Sequence, residues 1–178
     1  AIVYALYKPL AENDERKIAS LVKVYGTAYK VIGCVIGIIG ICLMPFLNII
    51  ITEQPNISES IYLLYIFNLF NTVITYFYSY RSSLLIAAQQ NYIVVATNYI
   101  VTILQSILQM VALLATHNYL VYLTIQTIGT LAYNFGVSHI ATKRFPCIMS
   151  KDIEPLPVDE KKALFKNIKD LTYYKISG

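Results

Sequence analysis

Residues 31–51, VIGCVIGIIGICLMPFLNIII, contain no Asp, Glu, Lys or Arg, and this stretch alone separates the chain from an ordinary soluble fold. A helix needs about 20 consecutive apolar residues to cross ~30 Å of hydrocarbon. Three more charge-free runs of similar length follow, at 61–80, 92–115 and 119–141. The whole chain of 178 residues agrees with them. It is 57% hydrophobic and 13% charged, against roughly 25% charged residues in soluble domains. The expected fold is an all-α integral membrane protein with four transmembrane helices. A disordered chain, a secreted disulfide scaffold and a conventional soluble enzyme are excluded by the same composition.

The runs divide the chain into three parts: 1–30 before them, 31–141 carrying them, and 142–178 after them. The opening AIVYALY reads as the last turns of a helix already under way, so the sequence reads as a piece of something longer. No signal-peptide layout is visible. Cys34 and Cys42 lie in the first run and Cys147 after the last, with no short-spaced pair. They read as packing residues rather than as a metal site or disulfide framework.

Charge sets the expected orientation. Of fourteen Lys and Arg residues, five precede the first run, Arg81 follows the second, and eight follow the fourth. Basic residues in short loops stay on the cytoplasmic side. Both ends and the 81–91 turn are therefore expected to be cytoplasmic, and the unbasic loops 52–60 (TEQPNISES) and 116–118 (THN) external. Two cytoplasmic segments are amphipathic. In 14–30, Ile18, Leu21, Val22, Tyr25 and Tyr29 recur every three or four residues behind an Asn13-Asp14-Glu15 start signal, and the helix should run into the first span. In 158–176, an apolar side of Leu164, Phe165, Ile168 and Leu171 backs onto a lysine-rich one, suited to a membrane surface or to a partner domain. The segment 145–157, with Pro146, Pro155 and Pro157, reads as a linker.

Inside the runs only uncharged polar groups remain, and they fall into stripes. Asn68, Asn71, Thr75 and Tyr78 share one face of the second span; Asn98, Thr102, Gln105 and Gln109 share one face of the third. The fourth adds Gln126, Thr130 and Tyr133, with Asn134 at the edge. An amide facing lipid is costly, so such groups turn toward a bundle interior or a wet cavity. Two readings follow: interhelical glue, residue by residue, or a hydrophilic path, for the stripes together. The path reading makes Asn68, Asn71, Thr75, Asn98, Gln105, Gln109, Gln126 and Asn134 the candidate lining. The second and third spans, joined by a short turn, should then be antiparallel neighbours with their stripes turned to one cavity. The first span differs, with Gly33, Gly37 and Gly40 for close approach and Pro45 to kink its outer half.

Catalysis finds no support. There is no intramembrane carboxylate pair, no zinc-type spacing, no Gly-rich phosphate loop, and neither His117 nor His139 has an acid nearby in sequence. No enzyme activity, cofactor or metal is expected. The formal charge of +4 is accounted for by orientation, and no nucleic acid is expected as a partner. Tyr62, Tyr80, Tyr92, Tyr119 and Tyr122 sit at run ends, where interfacial belts place them.

Several phrases in order carry a family likeness: YALYKPLAENDERKIASLVKVYGTAYKVIG at the start, FYSYRSSLLIAAQQNYIV at the inner turn, FGVSHIATKRFP, and DEKKALFKNIKDLTYYKISG at the end. Over essentially the whole chain the sequence resembles bacterial polysaccharide flippases. These are the O-antigen and capsule-type lipid-linked oligosaccharide transporters of the multidrug/oligosaccharidyl-lipid/polysaccharide exporter superfamily. The resemblance implies that the chain covers the end of the second span, the third to sixth spans, and the linker between two pseudo-symmetric halves of a larger helical bundle. It implies flipping of an undecaprenyl-diphosphate-linked oligosaccharide across the bacterial cytoplasmic membrane by alternating access. The implied partners are membrane lipid, the lipid-linked substrate, the remaining helices of the transporter and the polymer-synthesis machinery. The diphosphate would need a cation, and Arg81, Lys143 and Arg144 are the candidates, Arg81 first because its planar fork can bind phosphate oxygens in pairs. The sequence departs from many members in lacking Lys or Arg at mid-depth and any intramembrane acid to couple a proton or sodium ion. Two other classes stay open: a membrane scaffold or assembly subunit whose stripes only glue helices, and a multidrug exporter of the same superfamily.

Overall fold

The computed structural model describes residues 2–47 and 60–149. Among them all regular structure is helical: α1 (Ile2–Ala11), α2 (Glu15–Leu43), α3 (Ile61–Ala87), α4 (Asn91–Thr116) and α5 (Tyr119–Arg144), with 3₁₀ turns at Met44–Phe46 and Pro146–Met149. Three helices are long and apolar enough to cross a membrane: the Glu15–Phe46 stretch, α3 and α4. At 27 residues, α3 spans about 40 Å. The 26-residue α5 matches α4 in length, but its Thr, Tyr, Gln and Asn side chains dilute its apolar character. The amphipathic segment at 158–176 lies outside the described residues, as do the loop at 52–59 and most of the 145–157 linker.

Local chemistry explains where the helices begin and end. After α1, Asn13 takes a left-handed φ of 53°, and the amide N–H of Asp14 and of Asn13 donate back to the carbonyls of Pro9 and Leu10. This closes the helix as a Schellman turn. Asp14 at once caps α2, its carboxylate accepting from the Lys17 amide at 3.0 Å, so two helices share one short joint. α2 then runs unbroken into the apolar run. At Pro45, which has no N–H to continue the ladder, the α-helix tightens after Leu43 into the 3₁₀ turn and Leu47 is helical again; residues 48–51, the outer half where the kink is expected, lie outside the described residues. At the α3–α4 turn Gln89 has a φ of 60°, and Gln90 N–H reaches the Leu85 carbonyl at 2.9 Å. The turn is therefore 88–90, and Arg81 lies inside α3 rather than in a loop.

The long helices stand side by side in the order α2, α3, α5, α4. The α2–α3 contact is antiparallel and built on glycines. A Cβ added at Gly26 would touch the Tyr80 ring, at Gly33 the Phe77 ring at 2.9 Å, at Gly37 Val73 and at Gly40 Leu69. Tyr65 adds a hydrogen bond from its hydroxyl to the Gly40 carbonyl at 2.9 Å. The α4–α5 contact is also antiparallel: Gly129 receives the Gln105 side chain and Gly136 lies against Thr97. α3 and α5 run parallel, with Tyr78 beside Phe135 and Arg81 bonded to Ser138.

The dense core lies at one end. Leu6, Ile18, Leu21, Val22, Tyr25, Leu84 and Ala87 join α1, α2 and α3, covered by Phe145, Cys147 and Ile148. Beside them Leu85, Val94, Val137 and Ala141 close the junction of α3, α4 and α5. Away from this end the apolar side chains are left outward: Ile38, Ile41, Met110 and Leu114 are all more than 60% exposed. For a helix in hydrocarbon such exposure carries no penalty, since lipid tails are as apolar as leucine.

Candidate functional site: a polar side to the helix row

The helical contacts fix which way each polar stripe points. α3 meets α2 through Tyr65, Leu69, Val73, Phe77 and Tyr80, and α5 through Tyr78 and Arg81. At about 100° of rotation per residue, Asn68, Thr72 and Thr75 leave α3 on one side of the row. Leu63, Ile66 and Phe70 leave it on the other. Both sets are exposed. On α5, between the lines facing α3 and α4, Gln126, Thr130 and Tyr133 fall on one side and Ile128 and Phe135 on the opposite one. On α4, Asn98 and Thr102 flank the contact on one side, and Leu104 and Leu108 on the other. Because α3 and α5 are parallel and α4 antiparallel, right-handed rotation puts all three polar sets on the same side of the row.

A groove of about 210 Å³ lies between α4 and α5 on the opposite side, lined by Val101, Leu104, Leu108, Ile125, Ile128 and Ala132, with Gln105 and Gly129 at its floor. One side is thus apolar along its length, and the other carries the amides and hydroxyls. At the end carrying the 88–90 turn the helices close together. There α3 and α4 converge on the 88–90 turn and bury Val137 and Ala141 of α5 against Leu85 and Val94.

Individual residues divide into three roles. Asn68 and Thr75 are exposed and tied to their own helix: Asn68 Nδ2 donates to the Leu64 carbonyl and Thr75 Oγ1 to the Asn71 carbonyl. Asn98 is exposed and Gln126 half-buried. Gln109 is 6% exposed and acts as interhelical glue, donating to the Tyr122 carbonyl of α5 at 3.3 Å. Gln105 fills the notch at Gly129. Asn134, 3% exposed, donates to the Thr130 carbonyl at 2.8 Å. Asn71 stands apart. It is 8% exposed, and neither its Nδ2 nor its Oδ1 has a hydrogen-bond partner.

The expected pairing of the second and third spans is corrected here. α3 and α4 meet only near their shared turn, because α5 lies between them for the rest of their length. Their stripes share a side of the row without sharing a contact.

The cation candidates separate clearly. Lys143 and Arg144 are exposed in the last turn of α5, where positive charge complements the helix dipole. Arg81 is half-buried, one and a half turns inside α3. Its Nε donates to the Tyr80 hydroxyl at 2.9 Å, one terminal nitrogen donates to Ser138, and the guanidinium lies 5.5 Å from the Tyr80 ring centre. Among the described residues the ion pair is Lys8–Glu12 at 3.9 Å, and no carboxylate pairs with Arg81. Because Tyr80 rests on Gly26 of α2, the guanidinium joins three helices at the charged end, in the α3–α5 seam and toward its apolar side, about five turns from Leu63 along the same line.

Sequence spacing found the stripes but missed Ser138 and the notches at Gly26 and Gly129. The signal for the last was present as Gly129 and Gly136, seven residues apart on one face. No family model matches the chain, and no curated protein or solved structure is similar to it.

Proposed function

We propose that the chain is part of a membrane transporter in which α2, α3, α4 and α5 all span the bilayer and the polar side of their row lines a hydrophilic path. The observation that carries this reading is the segregation of three stripes to one side, with the other side apolar from Leu63 to Leu108. In lipid, uncovered amides are expensive. A row with one polar and one apolar side therefore places lipid on one side and water or further helices on the other. α5 counts as a span in this reading because it runs beside α3 and α4 and carries no Asp, Glu, Lys or Arg before Lys143.

The cargo class follows the sequence resemblance: a lipid-linked oligosaccharide, whose sugars offer hydroxyls to the amides while its undecaprenyl chain stays in the bilayer. The membrane would be the bacterial cytoplasmic one, with the charged end of the row inside. Arg81, Lys143 and Arg144, all at that end, would meet the diphosphate as it arrives. The remaining helices would cover the polar side, and polymer-synthesis machinery would receive the product.

A scaffold reading draws on a different observation, the Gln109–Tyr122 hydrogen bond, which joins α4 to α5. It does not account for Asn68, Thr72, Thr75, Asn98 and Thr102, which are exposed. Cysteine accessibility separates the two. In a cysteine-free background, Thr75→Cys and Asn98→Cys should react with a water-soluble thiol reagent in membrane vesicles, while Ile66→Cys and Leu104→Cys should not. Equal silence at all four positions would reject the path. Surface-polymer display in cells depending on this protein then tests the cargo.

A further inference from the structure

We infer that the seam between α3 and α5 is the moving joint of this helix row, held shut at the charged end by an Arg81–Ser138 latch. The inference rests on how differently the three seams are built. α2 and α3 are locked by four glycine contacts, the closest at Gly33 and Gly40, and by the Tyr65 hydrogen bond to backbone. α4 and α5 are locked by Gly129, Gly136 and the Gln109 bond to the Tyr122 carbonyl. Close-packed backbones of this kind do not slide or part without losing many contacts at once.

The α3–α5 seam has no glycine lock. No described glycine touches across it; its contacts run between side chains, Leu85 with Val137 and Ala141 near the turn, Tyr78 with Phe135, and Arg81 with Ser138. It also holds Asn71, two stripe positions above Tyr78. The 57-residue offset that pairs Arg81 with Ser138 sets Asn71 at the level of Ile128, next to Thr127, which lies three turns above Ser138 on the same stripe. Both Asn71 and Thr127 are 8% exposed. The Asn71 amide is buried with donor and acceptor unused, while the Thr127 hydroxyl donates only to its own helix.

A buried unpaired amide raises the free energy of the shut arrangement and not of a parted one, where water or a hydroxyl reaches it. The charge-assisted latch opposes that bias. The seam is thus poised: one group favours opening, the other closing, and two rigid pairs hinge on the 88–90 turn. Arg81 acts in this as a positioning residue.

State-dependent labelling tests the seam without reference to transport. In vesicles carrying the full protein with Cys34→Ala, Cys42→Ala and Cys147→Ala, Asn71→Cys should react slowly with a small maleimide, and Thr75→Cys rapidly. Adding Ser138→Ala should raise the Asn71→Cys rate about tenfold, the loss of one charge-assisted hydrogen bond, and leave Thr75→Cys unchanged. A Tyr78→Cys/Phe135→Cys disulfide should return the rate to background, and reduction should restore it. An Asn71→Cys rate indifferent to both the latch and the cross-link would overturn the inference, as would an equal response in a Gly37→Cys/Val73→Cys pair across α2 and α3. If Thr75→Cys is itself inert while Asn71→Cys responds, the seam stands and the hydrophilic path falls.

Discussion

The glycines of α2 predict opposite signs for two substitutions that differ by one helical turn. Gly33→Ala and Gly37→Ala each gain helix propensity, about 1 kcal/mol from the lost backbone freedom of glycine. They differ in what the new methyl meets. At Gly33 it would lie 2.9 and 3.0 Å from the Phe77 ring and 3.2 Å from Tyr76 Cβ, inside normal contact, and a ring hemmed between helices has little room to retreat. Overpacking of this kind costs about 1–3 kcal/mol. At Gly37 the nearest atom is Val73 Cγ2 at 3.4 Å, an ordinary contact. Gly33→Ala should therefore be neutral to destabilising by about 2 kcal/mol, and Gly37→Ala stabilising by about 1 kcal/mol. Thermal unfolding of the detergent-solubilised protein, followed by size-exclusion fluorescence, reads the order directly. The clash is attributable if Phe77→Leu relieves Gly33→Ala and does nothing for Gly37→Ala. Should the two alanine variants melt at the same temperature, the α2–α3 contact is not built as described.

Asn71→Leu, which removes an unpaired buried amide at similar volume, should stabilise the protein by about 1–3 kcal/mol in the same melt; destabilisation would mean that the amide is bonded. Arg81→Lys keeps the charge but cannot serve both Tyr80 and Ser138, so it should lose about 1–2 kcal/mol and, if the guanidinium meets phosphate, lower polymer export; wild-type export from both Arg81→Lys and Arg81→Gln would remove the phosphate role. Burial first, and then the charge of Glu15, push the Cys147 thiol above its ordinary pKa. Its alkylation should consequently need more alkaline pH than the unfolded chain's, and its contribution to stability should be present at neutral pH and fade as pH rises through the folded value. Glu15→Gln should shift that profile toward neutral. An engineered cysteine at Asn56 should react with an impermeant reagent in intact cells; reaction only after lysis would invert the topology.

What the sequence made legible is what hydrocarbon enforces. Long charge-free runs leave few options but helices, so α2, α3 and α4 could be read from composition, and the Asn13-Asp14-Glu15 joint from capping chemistry. A charge is expected to end a span, which puts Arg81 at a loop junction. The helix instead continues through Ser82 to Ala87, and the guanidinium is accommodated by Tyr80 and Ser138. The neighbour of α3 differs from expectation for a related reason. A short turn favours adjacent antiparallel helices, yet connectivity constrains only the ends, and α5 wedges between α3 and α4 above the turn. Nothing in the stripe of α3 says whether its partner is α4 or α5, because spacing encodes a face and not what lies opposite it.

The same limit explains the split among the polar residues. Asn68, Asn98 and Gln109 occupy equivalent places in their stripes by periodicity, but only Gln109 finds a backbone carbonyl across the seam, because Gly129 lets α4 and α5 approach within reach of an amide. Small residues on a facing helix therefore decide whether an intramembrane amide becomes glue or stays available. On α5 the glycines sit on the line facing α4, and the line facing α3 carries Ser138 and Ala141 instead. That asymmetry leaves Gln109 satisfied and Asn71 buried without a partner. It also gives the row one stiff pair on each flank and one seam between them whose polar groups are not yet spent.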